Sequence, residues 1–436
     1  VSFPSYPEYK DSGAQWLGQV PSAWASMPFG ALFRRTKRIG FADEELLSVY
    51  RDYGVIRKSD RDDNFNNASD DLSTYQLVEP GDLAMNKMKA WQGSLGISSH
   101  RGIVSPAYFV FSPRREFHPP FLHYLLRSPP YAAGYMTISK GIRINQWDVD
   151  PDHLSSLPVL FPSLDEQAAI AAFLDRETAK IDALVVEQER LIALLKEKRQ
   201  AVISHAVTKG LNPHAPMKDS GIEWLGEIPA HWEVMKFVRA VSIAEGQVDP
   251  KEHPYSEMVL IAPNHIQSGT GRLLALETAS EQNAESGKYQ AQAGDVIYSK
   301  IRPSLAKSAV APLDCLCSAD MYPLKPRSRL RAEFLNYFIL SPAFTAWATL
   351  ESERVAMPKI NREKLNEVML AIPPLIEQDA IVGLISEATG RFDDLEAEAQ
   401  AAITLLQERR AALISAAVTG KIDVRGLVDQ HEMEAA

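Results

Sequence analysis

Lys10-Asp11-Ser12-Gly13-Ala14-Gln15-Trp16-Leu17-Gly18-Gln19-Val20-Pro21-Ser22-Ala23-Trp24 returns 208 residues later as Lys218-Asp219-Ser220-Gly221-Ile222-Glu223-Trp224-Leu225-Gly226-Glu227-Ile228-Pro229-Ala230-His231-Trp232. Nine residues are identical between the two stretches, two of them tryptophans at fixed spacing. A period of about 210 residues means that the chain is written twice, and an internal repeat constrains a fold more than any local pattern does. Further echoes follow in order. Gly81-Asp82 returns as Gly294-Asp295, Phe121-Leu122 with Tyr124 as Phe334-Leu335 with Tyr337, and Ser128-Pro129 as Ser341-Pro342. Ile144-Asn145 is matched to Ile360-Asn361. Pro162-Ser163-Leu164-Asp165-Glu166-Gln167 faces Pro373-Pro374-Leu375-Ile376-Glu377-Gln378, and both copies close on Ala-Val-Thr, at Ala206 and at Ala417.

Each copy has two parts. The first, about 160 residues long, is rich in turn signals. Ile103-Val104, Tyr108–Phe111 and Val296–Tyr298 read as strands, and Phe121–Arg127 and Phe334–Leu340 as short helices stopped by Ser-Pro. The second part is a helix whose start is marked by proline and acidic residues. Ile170, Phe173, Leu174, Ile181, Leu184, Leu191, Leu194 and Leu195 in one copy recur at spacings of three, four and seven, as do Ile381, Leu384, Ile385, Phe392 and Leu395 in the other, a stripe close to a heptad seam. Gly383 and Gly390 are the only breakers in the second helix. A helix of about 30–40 residues is roughly 45–60 Å long, too long for one small core. The expectation is an α+β (mixed) fold with a pseudo-two-fold internal repeat. Two globules, 1–164 and 212–376, stand apart on two long antiparallel helices, 165–211 and 377–425, with a tail at 426–436. Two domains on a flexible string are the alternative, disfavoured because the linkers are apolar-striped rather than Gly/Ser-rich.

The 436 residues are 45% hydrophobic and 23% charged, ordinary for a globular protein. No run approaches the 18 apolar residues of a membrane helix, and Val1–Lys10 lacks a signal pattern. The two cysteines, Cys315 and Cys317, are too few for a structural zinc site and too close together to staple a fold. These features point to the cytoplasm and to no membrane partner. The net charge of −10 argues against nucleic acid. The excess acid, however, sits in 377–422 and the tail, while the two larger blocks are near neutral and can each present a basic face.

Catalytic patterns are missing. There is no P-loop, no dinucleotide fingerprint, no nucleophile elbow and no zinc-spaced histidine set. Ser128-Pro129-Pro130-Tyr131 superficially resembles the motif of an amino-methyltransferase, yet Ser is a poor acceptor for an exocyclic amine, and the copy Ser341-Pro342-Ala343-Phe344 marks it as a helix stop.

The segment after each Gly-Asp carries more information. It reads Asn86-Lys87-Met88-Lys89-Ala90-Trp91-Gln92-Gly93 in one copy and Ser299-Lys300-Ile301-Arg302-Pro303 in the other. Both place basic residues five and seven positions after the aspartate, and strand alternation would set both on one face. Lys and Arg suit phosphates or guanine, and Asn and Gln suit adenine. A solvated strand edge is the plainer reading of either copy alone. Further candidates for DNA contact are Arg34, Arg35 and Lys37, Lys140 with Arg143, and Arg354 with Lys359. Trp16, Trp24, Trp224 and Trp232 read as packing residues.

The ordered set Asp-Ser-Gly…Trp-Leu-Gly…Pro…Trp, Pro-x-Leu-x-Glu-Gln before each helix, and the ends Ala206-Val207-Thr208-Lys209-Gly210 and Ala417-Val418-Thr419-Gly420-Lys421 resembles the specificity (S) subunit of type I restriction-modification systems. The resemblance spans the chain to about residue 425. It implies that each globule is a target recognition domain reading one half of a split, asymmetric DNA sequence, with the helices as spacer. It implies double-stranded DNA, two methyltransferase subunits and two motor-nuclease subunits as partners. It implies no catalytic residue, metal or cofactor in this chain, with S-adenosylmethionine, ATP and Mg held by the partners. The Ala-rich second helix, with Glu396-Ala397-Glu398-Ala399, departs from the heptad strength of the first and suits a docking surface. A coiled-coil scaffold without DNA readout is the rival reading, and a self-sufficient DNA enzyme a more distant one.

Overall fold

The computed structural model describes residues 3–51, 53–61, 69, 71–141, 147–352 and 358–428. Arg143, Arg354 and the end of the acidic tail lie outside these residues. The chain forms two compact units, 1–188 with 401–436, and 189–400. The division falls inside both long helices, Leu164–Lys209 and Leu375–Val418. These run 46 and 44 residues, longer than the periodicity suggests. Gly383 and Gly390 lie within the second without ending it. Beyond the local helix backbone nothing stands within 4 Å of where a Cβ would be at either, so each costs only its propensity, about 1 kcal/mol, against many backbone hydrogen bonds.

In the first unit a four-stranded antiparallel sheet runs in the order Phe33–Thr36, Tyr108–Pro113, Leu83–Asn86, Leu95–Ile97. Phe109 opposes Met85 and Phe111 opposes Leu83, and these side chains join Phe121, Leu122 and Leu125 in the core. The second unit repeats the sheet with Val241–Ile243, Met321–Pro326, Val296–Ser299 and Ser308–Val310. The helices at Pro119–Arg127 and Ala332–Leu340 stop as expected, but Ser128 and Ser341 also start a second helix, Pro129–Thr137 and Pro342–Ser352. Each serine hydroxyl donates back to a carbonyl of the helix it ends, Leu125 or Phe338, at 2.7 Å. The following proline then occupies the first helical position, where no N–H is needed.

The repeated tryptophan motif is architectural. Asp11 and Asp219 accept from the N–H of Gly13 and Gly221 at 2.8 and 2.9 Å, and Lys10 and Lys218 donate to the carbonyls of Trp24 and Trp232. Trp24 and Trp232 are buried. The glutamine of Pro-x-Leu-x-Glu-Gln locks each helix to its globule. Gln167 is wholly buried, accepts from the His118 N–H and donates to the Pro162 carbonyl, both at 2.9 Å. Gln378 does the same with Arg331 and Pro373.

The long helices run antiparallel within each unit. Arg410 pairs with Asp182 at 2.9 Å in the first, and Lys196 with Glu396 at 3.4 Å in the second. Cys315 and Cys317 are free and buried in a strand, and burial pushes the Cys315 thiol up to about 12.

Candidate nucleic-acid interface

The strand Leu83–Asn86 ends where the basic residues begin. Lys87, Met88 and Lys89 form a turn, followed by a short 3-10 helix Ala90–Gln92 and the left-handed Gly93. Strand alternation therefore does not place Lys87 and Lys89, which corrects the reading from spacing. The Asn86 side chain accepts from the Met88 N–H at 3.1 Å, and Lys89 N–H donates to the Asn86 carbonyl at 3.1 Å. Asn86 thus shapes the turn, as a short amide side chain does readily. Trp91 is half-buried, packs at a tilt against Trp147 with 5.2 Å between centroids, and donates to the Met88 carbonyl.

Lys140 joins this turn. The strand Ser139–Lys140 pairs with Asp148–Val149, and Val149 N–H donates to the Lys87 carbonyl at 3.0 Å. Lys140 is exposed and lies 3.7 Å from the Asp150 carboxylate. That carboxylate also caps the helix Pro151–Ser156, and the His153 side chain with its N–H, together with other local donors, holds it below the usual range.

In the second unit the strand Val296–Ser299 likewise ends before Lys300. Ser299 is buried and its hydroxyl donates to the Ile301 carbonyl at 3.1 Å. Ile301 bridges to Lys359, Ile360 N–H donates to the Lys300 carbonyl and Arg302 N–H to the Pro358 carbonyl, both at 2.9 Å. Lys300, Arg302 and Lys359 are thus brought together. Arg302 and Ala306 both take left-handed conformations, φ 46° and 44°, around the turn Pro303–Leu305. Such strain in non-glycine residues persists only where the surroundings impose it.

These bonds also correct the register of the repeat. Val149 binds Lys87 as Ile360 binds Lys300, and Asp150 caps one helix as Asn361 caps the other. By these bonds the equivalent of Ile360-Asn361 is Val149-Asp150, at an offset of 211; Ile144-Asn145 lies outside the described residues. In this register Lys359 stands where the first unit has Asp148.

Arg34 and Arg35 lie on the edge strand Phe33–Thr36, opposite Ser112 and Phe111. Asn86 opposes Tyr108, four residues further along the same central strand. That places the arginines about 13 Å along and about 10 Å across from the turn. Lys37 is exposed beside them, whereas Arg38 pairs with Glu79 and Asp82. Burial pushes the Asp82 carboxyl up, against the pull of the Glu79 N–H and of Arg38. The Arg35 guanidinium lies over Phe109 at 4.3 Å. Tyr322, the counterpart of Phe109 at offset 213, carries Lys300 at 5.0 Å and Arg362 at 5.1 Å. Each unit therefore holds cations on the same ring of its sheet, an attraction of roughly 0.5–2 kcal/mol. Arg362 escapes a reading by basic runs. Its signal is its place just after the capping Asn361.

Residues 230–405 match the family model described as "Type I restriction modification DNA specificity domain". The chain is 27% identical over 435 residues to the EcoDI specificity subunit of Escherichia coli, covering 95% of this chain and 92% of that one. It is 21% identical to the EcoKI specificity subunit of E. coli strain K12, covering 95% and 93%. A solved chain from work on complex assembly of the type I R-M system superposes with a TM-score of 0.64 at 18% identity, over 92% of this chain and 99% of that one. The HsdS subunit of Thermoanaerobacter tengcongensis gives 0.51 at 17%, over 92% and 98%. A matched domain model, relatives aligned over 95% of the chain and an internal repeat on a similar fold point the same way: the chain is similar to the specificity subunits of type I restriction-modification systems.

Proposed function

We propose that this chain is the non-catalytic reader of a type I restriction-modification complex. The segments 1–164 and 212–376 act as target recognition domains, each reading one half of a bipartite, asymmetric DNA target. The helical segments 165–211 and 377–425 set the half-site spacing and dock two methyltransferase subunits, and 426–436 is a tail. Two motor-nuclease subunits complete the assembly for cleavage. S-adenosylmethionine, ATP and Mg belong to those partners. The partners flip and methylate an adenine in each half.

The observation that carries the reading is the duplicated basic turn. Lys87 with Lys89 and Lys300 with Arg302 follow equivalent strands and are held by equivalent backbone bonds, from Val149 and from Ile360. The loops on this shared frame differ: Ala90-Trp91-Gln92-Gly93 in one unit, Pro303-Ser304-Leu305-Ala306 in the other. A common frame with different side chains suits common phosphate contacts and different base contacts.

The test is methylation mapping. The chain is expressed with its methyltransferase partner in a host lacking adenine methylation, and modified bases are sequenced. The expected result is a split motif methylated once in each half, of which only one half changes when residues 1–160 are exchanged for those of a relative. Unmethylated DNA, despite an assembled complex that binds S-adenosylmethionine, would overturn the reading in favour of a scaffold.

A further inference from the structure

The edge strand Phe33–Thr36 of the first unit carries Arg35 opposite Phe111, with its guanidinium 4.3 Å from the centre of the Phe109 ring. Arg35 is exposed. At the matching place the second unit has Ile243, opposite Leu324. A guanidinium stands there nevertheless. Arg362, on the helix Arg362–Glu367 and 118 residues on from Ala244, donates to the carbonyls of Ile243 and Ala244. It lies 5.1 Å from the centre of the Tyr322 ring, the counterpart of Phe109. The counterpart of Arg362 itself is Pro151. The same ring and the same strand position thus receive a guanidinium from two unrelated places in the sequence.

The neighbouring cross-strand pair repeats the pattern. Arg34 opposes Ser112 in the first unit, whereas Ser242 opposes Lys325 in the second. The cation has crossed to the other strand while the pair keeps one, and Arg34 and Lys325 are both exposed. What the copies share is charge at a place, not a residue at a position. Charge on an edge strand also keeps sheets from pairing edge to edge. Any cation on the strand would serve that purpose, and none need be brought to it from a distant helix. In the second unit Lys300 lies on the same ring at 5.0 Å, so this place adjoins the basic turn. Glu245 stands 3.6 Å from Arg362, but its side chain is 87% exposed, so water screens the pair and a stronger anion can displace it.

We propose that Arg35 and Arg362 make one and the same phosphate contact, once in each unit. The guanidinium held on the ring of Phe109 or Tyr322 takes a backbone phosphate of the half-site and so sets the register of the globule on the duplex, without reading a base. The inference rests on the proposed function, in which the two units read different sequences. A need met alike in both must then be independent of sequence, and the phosphate is the part of DNA that is. The planar guanidinium fork matches two phosphate oxygens, and the ring beneath it fixes its place. Phosphate contact is thereby assigned to a residue of a short helix in one unit and of an edge strand in the other.

The test measures the salt dependence of binding by the full chain with its methyltransferase partner. Two duplexes are used, one with the mapped methylation motif and one of scrambled sequence, followed by fluorescence anisotropy between about 50 and 200 mM salt. Arg35→Gln and Arg362→Gln should each make the slope of log affinity against log salt shallower by about 0.9, one phosphate each, and the double variant by about twice that. Each should weaken both duplexes by the same factor and leave the methylated motif unchanged. Arg35→Lys should keep the parent slope. Ile243→Arg in the Arg362→Gln background moves the guanidinium to the place it has in the first unit, and should restore the slope. Arg362 also binds carbonyls, so Tm is recorded for every variant; Arg35 is exposed, and its variants test the contact even where Arg362→Gln lowers Tm. Parent-like slopes and affinities in Arg35→Gln and in a stably folded Arg362→Gln would overturn the proposal. So would a changed methylation motif, which would make these residues base readers. A parent that binds neither duplex sinks the proposed function and this contact with it, whereas a parent that binds while its variants match it sinks the contact alone.

Discussion

His123 shows how one position is used differently in the two copies. It sits on the helix Pro119–Arg127 with its ring against Gly54 and Gly96, while Arg127 bonds to its Nε2. Its counterpart at offset 213 is Asn336, which meets Gly271. Gly54 and Gly271 both have φ of +75°, so a loop tip turns over the helix in each unit and needs glycine to come that close. Burial, reinforced by the Arg127 charge, pushes the His123 imidazole down to about 3. Below its ordinary value near 6.5, the unfolded chain takes up a proton that the folded ring refuses, so stability falls as pH drops from about 6.5 towards 3 and is insensitive to this group above that. His123→Asn, which copies the second unit, should remove this slope. Urea midpoints at pH 7 and pH 5 measure it, and the parent should lose on the order of 1 kcal/mol more than the variant over that interval.

At the scale of elements, the end of each long helix is clamped by a tryptophan hairpin. Gly210 and Gly420 have φ of +73° and +72°, just past the last helical residue. A side chain at Gly420 would overlap Pro21 and approach Trp24, and one at Gly210 would meet Glu377 and Trp232. Tyr9 donates to the Gly420 carbonyl at 3.0 Å, and Asp423 N–H to that of Pro4 at 2.8 Å. Left-handed alanine costs about 1–2 kcal/mol and overpacking about 1–3 more. Gly420→Ala should therefore destabilise the first unit by roughly 2–4 kcal/mol, seen as a lower Tm and as faster exchange in the hairpin Lys10–Trp24.

For the whole molecule, the net charge of −10 sets how it meets DNA. The basic turns are local, and the acid is concentrated in the second helix and tail. Long-range attraction is therefore weak, and affinity depends on short-range phosphate contacts whose counterions are released. The isolated chain should bind its duplex more weakly than the assembled complex does. Log affinity should fall linearly with log salt, with a slope of about −0.9 per phosphate neutralised. Fluorescence anisotropy between 50 and 200 mM salt checks both. Equal affinity and equal slope for chain and complex would show that the partners add no phosphate contacts.

What the sequence by itself determined is what local and periodic signals encode. The repeat, the two long helices, the strands around Val104, Phe109 and Ile297, and the resemblance to specificity subunits all rest on patterns that survive in one dimension. Periodicity and capping act within a few residues, so they can be read there. Tertiary structure decided the rest. Lys87 and Lys300 leave their strands because Val149 and Ile360, about 60 residues on, take their carbonyls, and no local pattern states that. The register between copies depends on loop lengths, and the bonds of Val149 and Ile360 set it where spacing alone does not. Ser299 carries a polar side chain that packing buries, and Gly383 is held helical by bonds on either side of it. Contacts of that kind are set when distant segments compete for the same space, and only the folded chain shows which of them wins.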